Sequence, residues 1–269
     1  MTMSLRRSAL AAIAFAVLVA APVGAQEQTD ASFRFSGRIS AGRWVTVRNI
    51  NGKIDVKPAT GDQIEVTAVK RWKRGDPRRV RIEVTRVGEN DGDVLVCALW
   101  SENAECDESG YRSNNSGNNN NTGNVSVDFT IRLPRGVHVR AGSVNGSVSV
   151  TGATGEVKAS SVNGGIIASS VGGPVSASTV NGSIDVKMGS AGNADLSYST
   201  VNGSVVVQVP DGFNAEIDFT TVNGQLRSEF PMTISGRISQ RHIRGTVGKG
   251  GRRLKLRTVN GNVSLRKAT

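Results

Sequence analysis

The tripeptide Val-Asn-Gly recurs six times in this chain of 269 residues, and no other feature restricts the fold as strongly. The first five copies start 18, 18, 21 and 21 residues apart, and the last gap is 37 residues, about two periods. A short and nearly fixed period is typical of a solenoid, in which each repeat is one structural unit that stacks on its neighbours. The copies, with a related Ile-Asn-Gly upstream, lie at residues 50–52, 144–146, 162–164, 180–182, 201–203, 222–224 and 259–261.

Each repeat has the pattern of two short strands. After Asn-Gly, apolar and polar residues alternate, as in SIDV at 183–186, and a second alternating segment follows a turn, as in LSY at 196–198. Alternation with period two is typical of strands with one buried face. Asn-Gly between strands also signals a tight hairpin, so an antiparallel meander is the alternative.

The repeated flanks of Asn-Gly favour parallel stacking over that meander. A hairpin turn does not need the same Thr-Val before it and the same Ser-hydrophobic after it, whereas a solenoid gains from equal residues stacked about 4.8 Å apart. We therefore predict an all-β fold, a parallel β-solenoid (β-helix) with coils of about 18–21 residues, right-handed by the general crossover rule.

We expect each Asn-Gly to form a corner of a coil, with the asparagines in an amide ladder and the glycines supplying a positive φ. The segment IRGTV at 243–247 has the same shape with Arg in place of Asn, and it divides the last gap into 21 and 16 residues. A coil with a broken ladder is therefore expected there. The predicted corner residues are Asn51, Gly52, Asn145, Gly146, Asn163, Gly164, Asn181, Gly182, Asn202, Gly203, Asn223, Gly224, Arg244, Gly245, Asn260 and Gly261.

Two further coils and an interruption are expected upstream. Residues 129–139 match the pattern of the coil at 205–213 and predict a coil without Asn-Gly, and residues 50–66 predict another near the N-terminus. Between them, residues 71–124 break the pattern, and we predict a hairpin-bearing insertion there. Its segment 113–124 is rich in Asn and has no apolar residue, which predicts a mobile loop.

The cysteine count predicts one disulfide. Cys97 and Cys106 are the two cysteines of the chain, and an even number in an exported protein indicates a bridge, which here would staple the insertion. A metal site is not expected, because two cysteines and the two histidines, His138 and His242, do not form a ligand set. No cofactor is expected either.

The N-terminus predicts export. Residues 1–25 combine two arginines, an apolar stretch at 9–19 and small residues before a cleavage site, as in a signal peptide. A transmembrane anchor is the alternative, but the apolar stretch is too short. We predict a signal peptide at 1–25 and a single β-solenoid domain at 26–269, located in the periplasm, on the cell surface or in the medium.

The mature chain would be basic, with 31 Lys and Arg against 22 Asp and Glu, a net charge of +9. This charge suits polyanions, or it keeps a β protein soluble and protects its edges. The densest basic segment also contains a tryptophan that could stack on a sugar or enter a membrane interface; the alternative is a Trp packed on the solenoid. The residues are Lys70, Arg71, Trp72, Lys73, Arg74, Arg78 and Arg79. We expect a second basic set at the C-terminal end of the solenoid. It would either protect the strand edges of this end from stacking or bind anions there. Its residues are Arg252, Arg253, Lys255, Arg257, Arg266 and Lys267.

The Thr-Val-Asn-Gly-Ser-Ile/Val copies, the predicted signal peptide and the Asn-rich interruption together resemble the bacterial "putative adhesin" β-strand-repeat family, a domain of unknown function. The resemblance covers residues 49–265. It implies a β-solenoid at the cell envelope and no established catalytic residues. Arg244 departs from the Asn column of the family pattern.

An enzyme is the competing class, because parallel β-helices also include polysaccharide lyases and hydrolases, which need paired carboxylates or a calcium cluster. The outward candidates are Asp185, Asp195, Glu216 and Asp218, with Asp195 expected one coil from Glu216; the alternative is a solvated face. We expect a non-enzymatic adhesin or envelope scaffold that contacts envelope glycans, anionic lipid or another surface protein, and no specific nucleic acid. The alternative function is an enzyme that acts on an acidic polysaccharide.

Overall fold

The computed structural model describes residues 25–101, 103–113, 124–236, 239 and 241–268. The predicted signal peptide, except Ala25, and residues 114–123 of the Asn-rich segment lie outside the described residues. Within the described part of the chain, no helix has the length and apolar character to cross a membrane.

The described residues form 24 strands and two short 3-10 turns, Pro77–Arg79 and Glu89–Asp91. The first twelve strands are β1 (Ala25–Gln28), β2 (Ser32–Arg38), β3 (Trp44–Asn51), β4 (Ile54–Pro58), β5 (Gln63–Arg71), β6 (Arg81–Val87), β7 (Asp93–Leu99), β8 (Ala104–Cys106), β9 (Tyr111–Ser113), β10 (Ser126–Leu133), β11 (His138–Asn145) and β12 (Val148–Ala153). The others are β13 (Val157–Asn163), β14 (Ile166–Ser170), β15 (Val175–Ser178), β16 (Ile184–Met188), β17 (Leu196–Ser199), β18 (Val205–Val209), β19 (Ala215–Thr220), β20 (Leu226–Ser228), β21 (Met232–Ile234), β22 (His242–Val247), β23 (Arg253–Arg257) and β24 (Val263–Lys267).

Two large sheets face each other, and each coil contributes one strand to each. Sheet A has the order β1-β2-β5-β10-β4-β12-β14-β16-β18-β24-β20, and sheet B has the order β21-β22-β19-β23-β17-β15-β13-β11-β3-β7-β6. The strands that flank the Asn-Gly corners pair in parallel and in register with the next coil, as in Ile166↔Ile184 and Val157↔Val175. The prediction of an all-β parallel solenoid is confirmed.

The core is a slim stack of apolar ladders between the sheets. Alternate residues of each strand point inward, so that Ile184, Val186 and Met188 of β16 are fully buried while the residues between them are exposed. The bulkiest inward residue is Tyr198, whose hydroxyl donates to the Val175 carbonyl oxygen at 2.6 Å. The pattern follows from the alternation of the sequence, because a one-residue slip would turn every apolar side chain to solvent.

The corner glycines are required by the close stacking of backbones. At Gly146, Gly164, Gly182, Gly203, Gly224 and Gly261, a Cβ atom would overlap the carbonyl oxygen of the corner glycine one coil away. The expectation that all the corner glycines supply a positive φ is wrong. Among them only Gly52 and Gly261 have one, at 114° and 154°. The missing Cβ, more than the backbone angle, is what these positions need.

A second ladder explains the Ser or Thr that precedes each Val-Asn-Gly. The buried hydroxyls of Ser143, Ser161, Thr179, Thr200 and Thr258 donate to the carbonyl oxygen of a corner glycine one coil away, at 2.8–3.1 Å. Asn49 takes this place in the coil of Asn51, and its amide donates to the carbonyl oxygens of Gly52 and Val127. Five corners therefore bond the neighbouring corner through a hydroxyl as well as through the backbone, whereas the buried hydroxyl of Thr221 has no hydrogen-bond partner among the described residues.

The last coil in sequence lies inside the stack. Strand β23 separates β17 from β19 in sheet B, and β24 separates β18 from β20 in sheet A. Sequence order predicted that the C-terminal basic residues form the end of the solenoid. This prediction is wrong for the residues on these two strands, which lie inside the stack. They are Arg253, Lys255 and Arg257 on β23, and Arg266 and Lys267 on β24.

The coil predicted at Arg244 and Gly245 is wrong. Both residues lie within β22, which pairs antiparallel with β19 and β21 and covers the free edge of sheet B. Arg244 faces Asp218 across the β19–β22 pair, so opposite charges meet on the outer face. The 37-residue gap contains this edge hairpin instead of a coil corner.

The N-terminal end is also closed by antiparallel strands. Strand β5 pairs antiparallel with β2 and β10 and lies in the same sheet as β4, so residues 50–66 do not form a coil of the predicted kind. Strand β10 lies between β4 and β5, because the chain returns to this end after residue 124. Strands β10 and β11 lie in opposite sheets, as the pattern at 129–139 indicates.

The predicted hairpin β6–β7 extends sheet B, since β7 pairs in parallel with β3. The small hairpin β8–β9 covers the outer face of β7, where Leu95 and Leu99 are buried beneath Tyr111. Cys97 on β7 and Cys106 on β8 form the predicted disulfide, which is confirmed. The bridge thus fastens the small hairpin to the end of sheet B.

We expect Gly182→Ala to lower the free energy of unfolding by about 2–3 kcal/mol, because the added methyl must displace the Gly164 backbone. The control is Gly61→Ala, where a Cβ meets no atom within 4 Å and the backbone has no positive φ. It should change the stability by less than about 0.5 kcal/mol. Urea denaturation of both variants measures the difference, and equal costs would contradict the stacking argument.

Replacing Cys97 and Cys106 together by Ser should lower the free energy of unfolding by about 2–3 kcal/mol, the entropic effect of opening a loop of this length. We also expect the β8–β9 hairpin to become the first site of cleavage by a protease, since Leu95 and Leu99 lose their cover. Limited proteolysis with mass spectrometry checks this. Unchanged cleavage in the variant would show that packing alone holds the hairpin.

Candidate functional site

Seven asparagines form an unbroken amide ladder along one edge of the solenoid. Each side-chain Nδ2 donates to the Oδ1 of the next asparagine at 2.8–2.9 Å, so that six hydrogen bonds join seven coils. The spatial order is Asn51, Asn145, Asn163, Asn181, Asn202, Asn260 and Asn223. The insertion of the last coil keeps the ladder continuous where sequence order predicted a break.

A row of partly exposed valines runs beside the ladder. The Val of each Val-Asn-Gly points outward, and its exposed fraction is 36–49% at Val144, Val162, Val180, Val201, Val222 and Val259. We call these valines and the seven ladder asparagines the corner edge. Apolar residues that are exposed singly are common, but a continuous row at regular spacing is typical of a contact surface.

The predicted basic segment is only partly a surface feature. Lys70 points inward and is 3% exposed, and its ammonium group donates to the Pro77 carbonyl oxygen at 3.0 Å. Burial lowers the pKa of Lys70. The prediction that Lys70 is available to a polyanion is therefore wrong, because β5 alternates and its even-numbered residues face the core.

Two more cations of this segment are neutralised locally. Arg71 pairs with Asp128 at 2.9 Å, and Arg78 pairs with Asp76 through two bonds of 3.0 Å. Hydrogen bonds from the Arg78 side chain and backbone lower the pKa of Asp76. Asp128 also accepts from the backbone nitrogen of Lys53, which follows the first corner, so the segment adjoins the corner edge.

The rest of the segment remains open to solvent. Trp72 is 43% exposed, and Lys73, Arg74 and Arg79 are exposed and have no ion-pair partner among the described residues. We call these four residues the basic tip. They combine an aromatic surface with three uncompensated positive charges at one end of the corner edge, which is a chemistry that suits anionic surfaces.

Of the four carboxylates proposed for catalysis, Glu216 and Asp218 are neighbours on the outer face of one strand, and the other two lie apart from them. Glu216 and Asp218 lie on β19, but β23 separates that strand from β17, so the expected proximity of Asp195 to Glu216 is wrong. Asp195 accepts from the Arg253 backbone nitrogen at 2.8 Å, and Asp218 lies 3.1 Å from His242.

Asp185, the remaining candidate, accepts from the Gln208 amide at 3.3 Å. Among the described residues, no three His, Cys, Asp or Glu side chains are grouped so that they could hold a metal ion. Asp185 and Asp195 therefore do not join Glu216 and Asp218 in one group, and nothing in the described residues supports the enzymatic alternative.

Two clusters were not identified from the sequence. On the outer face of sheet B, the Trp44 ring lies 5.0 Å from the His138 ring, with Arg140 and Lys158 at 5.0 and 4.7 Å from its centre. These residues come from the adjacent strands β3, β11 and β13, and only the strand register brings them together. The two cations already cover the ring, so it is not free to bind a ligand.

The second cluster is an open cleft of about 880 Å³ at the edge opposite the corners. Arg38, Arg43, Arg86 and Arg135 line it, and we call it the arginine cleft. These arginines come from three separate segments and have no local motif, so only the folded structure reveals the cleft.

The family model Toastrack DUF4097 matches residues 45–266. No curated protein matches the chain. One similar solved structure is a "putative cell adhesion protein" from Clostridium sporogenes, 11% identical, with 87% of this chain and 99% of that chain covered and a TM-score of 0.42. Another is a "putative adhesin" from Bacteroides fragilis, 11% identical, with coverages of 89% and 98% and a TM-score of 0.33.

The amide ladder predicts that losing an asparagine from its middle costs more stability than losing one from its end. Asn181→Ala removes two ladder bonds, one donated to Asn163 and one accepted from Asn202, whereas Asn223→Ala removes only the bond to Asn260. We expect losses of about 2 and 1 kcal/mol, respectively. Thermal and urea unfolding of both variants measure them. A larger loss at Asn223 would contradict a ladder whose bonds act alike.

Proposed function

The chain belongs to the Toastrack DUF4097 family, and we propose that it is an exported, non-enzymatic β-solenoid that acts by surface contact, as an adhesin or envelope scaffold. In this proposal the corner edge and the basic tip form one contact surface. The partner is an anionic component of the cell envelope: a glycan, an anionic lipid or a surface protein.

The row of exposed valines carries the proposal. The seven ladder asparagines, about 4.8 Å apart, give a strip about 29 Å long, and six of its coils also carry an exposed valine beside the ladder. Binding to a rigid strip costs little conformational entropy, since its side chains are ordered before contact. The asparagines have their mutual bonds along the strip, and their outward surface leaves further hydrogen-bonding capacity for a partner.

The basic tip supplies the preference for an anionic partner. Its three unpaired cations lie within seven residues of a half-exposed indole, a combination that suits contact with phosphate or carboxylate groups next to an apolar or sugar surface. Export rests on the sequence of residues 1–25 alone. The corrected carboxylate positions favour contact over catalysis.

The test compares two pairs of exposed apolar residues. Val162→Thr with Val180→Thr removes two methyl groups from the corner edge, and Ile167→Thr with Val171→Thr alters two residues that are 65% and 63% exposed elsewhere. We expect the first pair to weaken binding to envelopes isolated from the cells that encode the chain by roughly tenfold. The second pair should leave it unchanged in the same co-sedimentation assay.

A second arm tests the basic tip. Replacing Lys73, Arg74 and Arg79 by Gln should reduce binding at low salt and flatten its salt dependence. Vesicles of phosphatidylcholine with and without phosphatidylglycerol, and a glycan array, then separate lipid from glycan partners. Binding that survives both sets of substitutions would contradict this contact surface, and turnover of an acidic polysaccharide would contradict the non-enzymatic class.

A further inference from the structure

We propose that the arginine cleft is a second binding site, for a small oligoanion that carries two or more phosphate or carboxylate groups. Arg38 ends β2, Arg43 precedes β3, Arg86 lies on β6, and Arg135 lies in the turn between β10 and β11. These segments meet at the edge opposite the corners, where the first coils turn back. The cleft volume of about 880 Å³ is within the range of small-molecule sites.

The charge of the cleft is largely uncompensated. Four guanidinium groups line it, and Asp62 is the one carboxylate among the residues that line it. Asp62 lies 3.9 Å from Arg38, and both side chains are about 80% exposed, so this pair is weak. Arg135 is exposed and has no ion-pair partner among the described residues. Guanidinium groups stay protonated at all physiological pH values, so the charge persists without a ligand.

Backbone contacts hold two of the arginines in place without neutralising them. Arg43 donates through Nη1 to the Glu89 carbonyl oxygen at 3.3 Å, and Arg86 donates through Nη2 to the Arg38 carbonyl oxygen at 2.5 Å. Both side chains are half-buried. Half-buried cations that bond only to carbonyl oxygens keep their full charge for a ligand, because a carbonyl is a dipole and carries no net charge.

A glycine makes room for Arg43. A Cβ atom at Gly92 would lie 2.6 Å from the Arg43 guanidinium carbon, and Gly92 has an ordinary helical backbone with φ −77°. Its backbone therefore tolerates Ala, and the methyl group would displace Arg43 while leaving all four charges present. This offers a test of geometry that is separate from charge.

The guanidinium fork defines the class of ligand. It binds the paired oxygens of phosphate or carboxylate through two parallel bonds, and four forks around one cleft suit a ligand with several such groups. The hydroxyl residues Ser40 and Thr60 also line the cleft and can bond the neutral oxygens of such a ligand. Tripolyphosphate and trigalacturonate are probes that share this chemistry and differ in the anionic group.

The cleft is separate from the contact surface proposed above. Strand β5 starts at Gln63, beside Asp62 of the cleft, and ends at Arg71, beside the basic tip. Its nine residues place the two sites about 27 Å apart. Each site can therefore be removed without the other, and the inference does not depend on the proposed adhesion.

The experiment is titration calorimetry of the full chain with each probe at low salt. We expect one equivalent of at least one probe to bind, and Arg43→Gln with Arg135→Gln to weaken its binding by about tenfold or more. Gly92→Ala should weaken it too, without a change of charge. The control, Lys73→Gln with Arg79→Gln, removes the same charge from the basic tip and should change the dissociation constant by less than about twofold.

Each outcome decides the inference. Binding of tripolyphosphate alone assigns a phosphate ligand, and binding of trigalacturonate alone assigns a carboxylate ligand. If several equivalents of a probe bind, and the cleft and control variants weaken this binding equally, the attraction is diffuse and the inference is overturned. The absence of binding to either probe would overturn it too. Circular dichroism confirms that the variants are folded, and single Arg135→Gln, which removes an exposed and unpaired side chain, provides a variant with little structural risk.

Discussion

The stacking of one glycine corner directly on the next is the constraint on which the rest of the solenoid depends. A Cβ at these glycines would overlap the neighbouring carbonyl oxygen, so the coils can approach only where the side chain is absent. That approach brings the asparagine amides and the Ser or Thr hydroxyls within hydrogen-bond distance of the next coil. The apolar ladders of the core then follow, because corners in register place every inward residue over its equivalent. The glycine contact and the amide bond recur at the stacked corners, and the hydroxyl bond accompanies them at five corners.

The same constraint explains how the chain can insert its last coil between two earlier ones. A corner bonds its neighbour through a glycine carbonyl oxygen and an asparagine amide, which all seven Asn-Gly corners have, and in five of them through a Ser or Thr hydroxyl as well. Asn260 therefore fits between Asn202 and Asn223 as well as a corner in sequence order would. The inserted coil also places opposite charges next to each other, because Arg253 and Lys255 of β23 lie opposite Glu216 and Asp218 of β19. Three of the four sheet edges end instead in antiparallel strands, β1, β6 and β21, whereas β20 ends sheet A in parallel pairing with β24.

The sequence correctly predicts the parts of this fold that repeat. It does not predict the position of a segment that depends on one particular strand pairing. The period and its flanks were sufficient to predict parallel coils, the amide ladder and strands with alternate burial. Arg244 was misplaced because its segment copies the corner pattern, while its position depends on the partner strand β19. The sequence places Lys70 wrongly at the surface, because a count of charges does not say which way a side chain points, whereas the alternation of β5 turns Lys70 inward. A positive φ is also the wrong reason for the corner glycines. They are needed because a neighbouring coil approaches closely, and nothing in the local sequence indicates such an approach.

The placement of charge separates structural arginines from those available to a partner. Arg71, Arg78 and Arg132 have a carboxylate within hydrogen-bond or ion-pair distance, so their charge is balanced within the solenoid. In the arginine cleft, by contrast, backbone carbonyls hold two guanidinium groups and one weak carboxylate faces four cations. A fold that needed these cations only for solubility would not order them at half-buried positions, where desolvation costs stability. The cleft and the basic tip each bring three cations without an ion-pair partner among the described residues into one cleft or one short segment, so an anion would gain most there. The two sites lie at opposite ends of β5, so one solenoid end could hold a small oligoanion and an extended surface at the same time.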